Sequence, residues 1–157
     1  MAASLPSIPR LVFTVLEPLS LVAGFIGAVH DPSWFVQQQV PLEAPAPVTK
    51  ESVVLALQLG NMYLLTFLVG VAVLFTTSEI RVVRNYLVAL WLADIGHIAF
   101  SCYGLGREKL LDPAGWNATT WGNIGATSLL CLVRSAYLAG LFGPDRPVAK
   151  APGKKAN

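Results

Sequence analysis

The sequence predicts an all-α membrane protein: a four-transmembrane-helix bundle with N and C termini in the cytoplasm. Three observations carry this reading. The 157-residue chain is 54% hydrophobic and only 13% charged, and its mean hydropathy of +0.59 lies well above that of a soluble domain of this size. Four apolar stretches, about 11–29, 54–76, 86–103 and 121–141, have roughly the 17 to 25 residues that a tilted helix needs to cross a bilayer. The basic residues divide unevenly: Arg10, Arg81, Arg84, Arg146, Lys150, Lys154 and Lys155 fall on one side, against Lys50, Arg107 and Lys109 on the other. The positive-inside rule assigns the first group to the cytoplasm. Residues 1–145 then form one membrane domain, and 146–157, with the composition of disorder, a basic tail.

The first span opens "LVFTVLEPLSLVAG". A secretory signal peptide is the competing assignment, but Glu17-Pro18 interrupts its apolar core and "IGAVHD" lacks a small-x-small cleavage site. Pro18 is expected to kink the helix and to leave the Thr14 carbonyl without its usual partner. The connection "HDPSWFVQQQVPLEAPAPVTKES" is too rich in proline to be helical throughout, whereas "SEIRVVRN" makes a tight link between the second and third spans. "GLGREKLLDPAGWNATT" is a polar loop carrying a glycosylation sequon at Asn117, on the predicted lumenal side but only a few residues before the fourth span. Trp34, Tyr103, Trp116 and Trp121 suit an aromatic belt at that surface.

Several function classes are excluded. The basic residues form no single face with interleaved aromatics, so no nucleic-acid partner is expected. The sequence has no P-loop, dinucleotide fingerprint or HExxH motif, and neither a metal site nor a cofactor is expected. Cys102 and Cys131 fit no metal spacing, fall at different membrane depths, and read as small apolar core residues.

The informative residues are polar ones inside the spans. Hydrocarbon penalises charge, so an intramembrane ionisable residue reads as functional by default. Counting from span centres at about 1.5 Å per residue places Asp94 near mid-membrane and His97 about one turn lumenal of it, on nearly the same face. Asn61 of the second span reaches the depth of His97, with Gln58 one turn further out. These four are expected to form one cluster. Glu17 and Arg134 come to similar depth with opposite charge and form the expected ion pair, unless Arg134 snorkels to the cytoplasmic surface. Tyr63 and Trp91 lie close enough to be pocket walls. Polar amides also join membrane helices without doing chemistry, and Gly60, Gly70, Gly96 and Gly125 can supply close packing. An adjacent carboxyl and imidazole, by contrast, provide a proton donor and acceptor.

The segments "SLPSIPRLVFTVLEPLSLVAG", "ALWLADIGHIAF" and "DPAGWNATTWGNIGAT" leading into "LVRSAYLAG" resemble a family of small fungal integral membrane proteins with four helices, some encoded beside polyketide and terpenoid synthases. The resemblance implies tailoring of lipophilic secondary metabolites by epoxide opening, epoxidation or cyclisation, and its carry-over covers Glu17, Asp94, His97 and Arg134. It also implies residence in the endoplasmic reticulum. A second likeness, to sterol isomerase proteins, is one of architecture alone.

The expected function is therefore acid–base opening or cyclisation of a lipophilic polyketide or terpenoid. Asp94, His97 and Glu17 are catalytic, and Asn61, Gln58, Arg134, Tyr63 and Trp91 bind the substrate. An epoxidase of the same pathways ranks lower because no oxygen-activating motif is visible in the sequence. The alternatives of other classes are a non-enzymatic helper that binds lipid or holds pathway enzymes at the membrane, and a transporter, which four short spans could form only as a homo-oligomer.

Overall fold

A computed structural model of the chain describes residues 4–41, 44 and 46–146, and among these it contains helices and no strand. Helix α1 runs Ser7–His30, α2 Pro32–Gln38, α3 Lys50–Thr76, α4 Ile80–Leu105 and α5 Arg107–Leu110; Ala118–Thr120, Trp121–Ala126 and Thr127–Leu138 join without a break as α6. Three of these, α1, α3 and α4, are long and apolar enough to cross a membrane. The helices begin earlier than the apolar runs because the backbone continues into polar end residues. The last helix stops at Leu138, short of the expected residue 141, where the chain turns at Gly140 with φ of 77°.

Pro18 does not break α1. A π-helical turn over Val12–Leu16 precedes it, and the Glu17 N–H reaches back five residues to the Val12 carbonyl. Widening the turn is one way a membrane helix absorbs a proline that cannot donate to its own preceding turn. The Thr14 hydroxyl donates to the Arg10 carbonyl at 2.7 Å.

The elements start where side chains satisfy their orphan donors. Asp31 accepts from the Trp34 N–H at 2.9 Å, with Pro32 at the first helical position. Thr49 and Ser52 cap α3 reciprocally, at 3.1 and 3.3 Å. Gly106, at φ 78°, ends α4 in a conformation that favours glycine.

Two apolar clusters close the two ends. At one end Leu5, Val12 and Phe13 of the N-terminal region meet Leu74, Val83, Leu87 and Tyr137; at the other, Ala28 and Phe35 meet Ala56. The α1–α3 seam is tight because Gly60 lets the backbones approach: a Cβ there would lie 3.0 Å from that of Ala28 and 3.2 Å from Val29 Cγ2. The termini share the first end. The Arg146 N–H donates to the Ser4 carbonyl at 2.7 Å and its guanidinium to the Ser7 hydroxyl at 2.6 Å, while Asp145 accepts from Tyr137 and Arg84. Arg146 thus belongs to the folded domain and not to the tail, whose residues 147–157 lie outside the described residues.

The close approach at residue 60 yields the first test. Gly60→Val should destabilise the protein by about 1–3 kcal/mol through overpacking, whereas Gly104→Ala, whose Cβ meets nothing within 4 Å, should be neutral or stabilising. Unfolding of the purified protein in mixed micelles checks both.

Candidate functional site

The polar residues of the spans separate into two systems one helical turn apart on α4. In the first, Arg134 of α6 reaches between two carboxylates from different helices. Its guanidinium donates to Glu17 Oε1 on α1 at 2.6 Å and, through its other terminal nitrogen, to Asp94 Oδ2 on α4. The Arg134 side chain is fully enclosed, and the two carboxylate residues are buried. The Phe13 ring covers one face of the guanidinium, with its centroid 4.9 Å from Cζ, a cation–π contact. One guanidinium thus ties three of the long helices together. Among the described residues Arg134 Nε has no hydrogen-bond partner.

The second system surrounds His97, in a cavity of about 320 Å³ at the end of the bundle away from the termini. Its polar wall is Gln39, Tyr63, His97, Ser101, Thr120 and Asn123; its apolar wall is Val40, Leu59, Phe100, Leu105 and Ile124, with Gly104 at the rim. Asn123 lies in a π-helical stretch, Trp121–Ala126, a distortion that often accompanies functional sites. Its side chain shares the cavity wall with His97, and its Nδ2 donates to Gln39 Oε1 at 3.1 Å. Gln39 Nε2 donates in turn to the Phe35 carbonyl at 3.1 Å. With its nitrogen turned to Gln39, Asn123 has its oxygen left for an imidazole N–H. An imidazole N–H directed at that oxygen would leave the other ring nitrogen available to the cavity.

The expected four-residue cluster is not formed. Asp94 and His97 feel each other's charge but share no hydrogen bond among the described residues. Asn61 and Gln58 have the expected depth but are exposed and do not line the cavity. The reason is azimuth: α3 turns Ala56 and Gly60 inward against α1, so residues 58 and 61 point elsewhere. Asp94 and Glu17, expected to act on substrate, are held by Arg134, and Arg134, expected to contact substrate, is enclosed by that pairing. Trp91 joins helices instead, its Nε1 donating to Ser135 Oγ at 2.8 Å. Of the expected substrate contacts, Tyr63 lines the cavity, as does His97.

Asn123, Gln39, Ser101 and Thr120 escaped the sequence reading. Asn123 sits at a span edge and Gln39 in a segment read as loop, and no motif marks them; a lone Asn two residues inside the span boundary at 121 is the available signal. Asn117, read as a glycosylation acceptor, is an N-cap. Its oxygen accepts from the Thr120 N–H and hydroxyl at 2.8 and 2.9 Å, and its Nδ2, the atom that would carry a glycan, donates to the carbonyl and side chain of Gln38.

Residues 2–144 match a family described as Domain of unknown function (DUF7704). No curated protein and no solved structure matches the chain.

Arg134→Met should destabilise the protein by roughly 3–5 kcal/mol by leaving two buried carboxylates uncompensated, and the triple change with Glu17→Gln and Asp94→Asn should recover much of that loss. Unfolding in detergent compares the two. Asn117→Ala should cost about 1 kcal/mol as a lost cap, and glycosidase treatment of the native protein should leave its gel mobility unchanged.

Proposed function

The chain belongs to the DUF7704 family, and from its site we propose a membrane-embedded enzyme that performs acid–base chemistry on a lipophilic small molecule held against His97. The observation that supports this is the imidazole on the wall of a largely apolar cavity of ligand size. His97 takes a proton from water or from a hydroxyl of the substrate itself, and the oxygen so activated attacks an electrophilic carbon. For an epoxide, the C–O bond breaks as the new bond forms, and the ring oxygen takes a proton from the Tyr63 or Ser101 hydroxyl. The imidazolium returns that proton to the hydroxyl and resets the site. Asn123 and Gln39 are positioning residues that hold the ring. Epoxide opening and cyclisation of a polyketide or terpenoid are the reactions that the resemblance to fungal membrane proteins favours, with epoxidation behind them.

In this reading α6 is the fourth membrane crossing, both termini lie in the cytoplasm, and the cavity opens at the lumenal side of the endoplasmic reticulum membrane. The shared end of the two termini and the α3–α4 link, with Arg10, Arg81 and Arg84, supports that orientation. The bilayer and a lipophilic substrate are the partners, and neighbouring pathway enzymes or a second copy are further ones. The competing reading is a lipid-binding helper, which the same cavity would also serve.

Replacing the gene by a His97→Gln allele separates them. For the enzyme, product formation falls by about 10²–10⁴, one precursor accumulates as in a deletion, and the protein stays at its normal level in the membrane. A fully active His97→Gln allele would overturn the catalytic proposal.

A further inference from the structure

We infer that the His97 cavity selects an uncharged lipophile bearing a hydroxyl, carbonyl or ether oxygen, which reaches it sideways from the bilayer past Phe100 and Gly104. This rests on the proposed function for the chemistry that follows binding, but the selection itself stands on the lining. Among the described residues no Lys, Arg, Asp or Glu lines the cavity. Lys109, on α5, donates to the Pro41 carbonyl, and the charges of Glu17, Asp94 and Arg134 are engaged with one another. A carboxylate, phosphate or ammonium entering the cavity would therefore lose hydration without gaining a permanent counter-charge, which disfavours it against a neutral group. A neutral oxygen would instead meet His97, Tyr63, Ser101 and Thr120, and its hydrocarbon would meet Leu59, Leu105 and Ile124.

The route follows from the rim. Of the lining residues, Phe100 and Gly104 are the exposed ones, and both lie on one face of α4, four residues apart. That helix is long and apolar enough to cross a membrane, so its outward face meets lipid. The Phe100 ring, 78% exposed, leans back toward Gly96, with its Cε2 3.8 Å from where a Cβ on residue 96 would stand, while the space around Gly104 is open. Glycine at 104 therefore leaves a gap the width of a side chain beside an aromatic edge.

The full-length protein in phosphatidylcholine nanodiscs tests this with two photoreactive probes, diazirine-bearing hexadecanol and diazirine-bearing hexadecanoic acid at neutral pH. The alcohol should label the peptide that spans His97 to Leu105, at least about tenfold more than the acid. Gly104→Trp, which fills the gap where its Cβ meets no atom, should abolish that labelling without changing the unfolding midpoint; should it unfold the protein, Phe100→Trp serves in its place. Equal labelling by acid and alcohol overturns the charge selection, and undiminished labelling in folded Gly104→Trp or Phe100→Trp overturns the route. His97→Gln should keep the alcohol labelling even as it loses turnover. Loss of turnover with equal labelling by both probes would sink the selectivity alone, and retained turnover with selective labelling would sink the enzyme reading alone.

Discussion

The bundle depends on one guanidinium. Arg134 is fully enclosed and joins a carboxylate on α1 to another on α4, and without it the polar link from α6 to α1 within the bundle would be lost, leaving the Trp91–Ser135 bond between α4 and α6. Apolar side chains gain little from one another in lipid, because the bilayer is as oily as they are. An ion pair is different. The surroundings that make a lone charge expensive also strengthen its attraction to a partner, so the cluster specifies which helices meet and at what register. Phe13 closes the guanidinium face and Tyr137 packs edge-on against Phe13, with ring centroids 6.5 Å apart, which links the charged centre to the apolar cluster at the termini.

What the sequence revealed followed from the terms that depend on position along a helix. Hydropathy and length marked α1, α3 and α4, and depth counting brought Glu17 level with Arg134, which the structure pairs. The sequence could not reveal rotation. A residue's depth follows from its number, but which way it faces depends on neighbouring helices, and for this reason Asn61 and Gln58 are at the right level and on the wrong side. Asp94 was paired with His97 because three residues separate them on one helix. Arg134, forty residues further along, outbids that proximity because full opposite charge meets the carboxylate there. The two π-helical turns were also hidden, since they arise from local accommodation: of Pro18 in α1, and in α6 of a stretch, Trp121–Ala126, that begins one turn past the Asn117 cap.

The π turn in α6 connects structure to site. Widening a helix by one residue displaces the side chains that follow it, and here it brings Asn123 to His97 and Ile124 to the cavity floor. The loop before it is held by a run of polar contacts. Trp116 Nε1 donates to the Lys109 carbonyl at 2.9 Å, Lys109 reaches Pro41, and Asn117 reaches Gln38. Residues 38–41 are thereby fastened beside the cavity, which Gln39 and Val40 line. A segment that reads as loop in sequence is a wall of the site in space.

The two polar systems on α4 therefore divide the work by charge. Asp94 is fixed by Arg134, and a carboxylate fixed in that way has exchanged freedom to react for a structural role. His97, one turn away, shares its cavity wall with the neutral amide of Asn123, which brings no full charge to the imidazole. A single turn thus separates the enclosed helix-joining charges from the imidazole that lines the cavity, the group to which the proposed function assigns the proton transfers. The proximity of the two, which in the sequence looked like one catalytic pair, is better explained as a scaffold set directly beneath the site it supports.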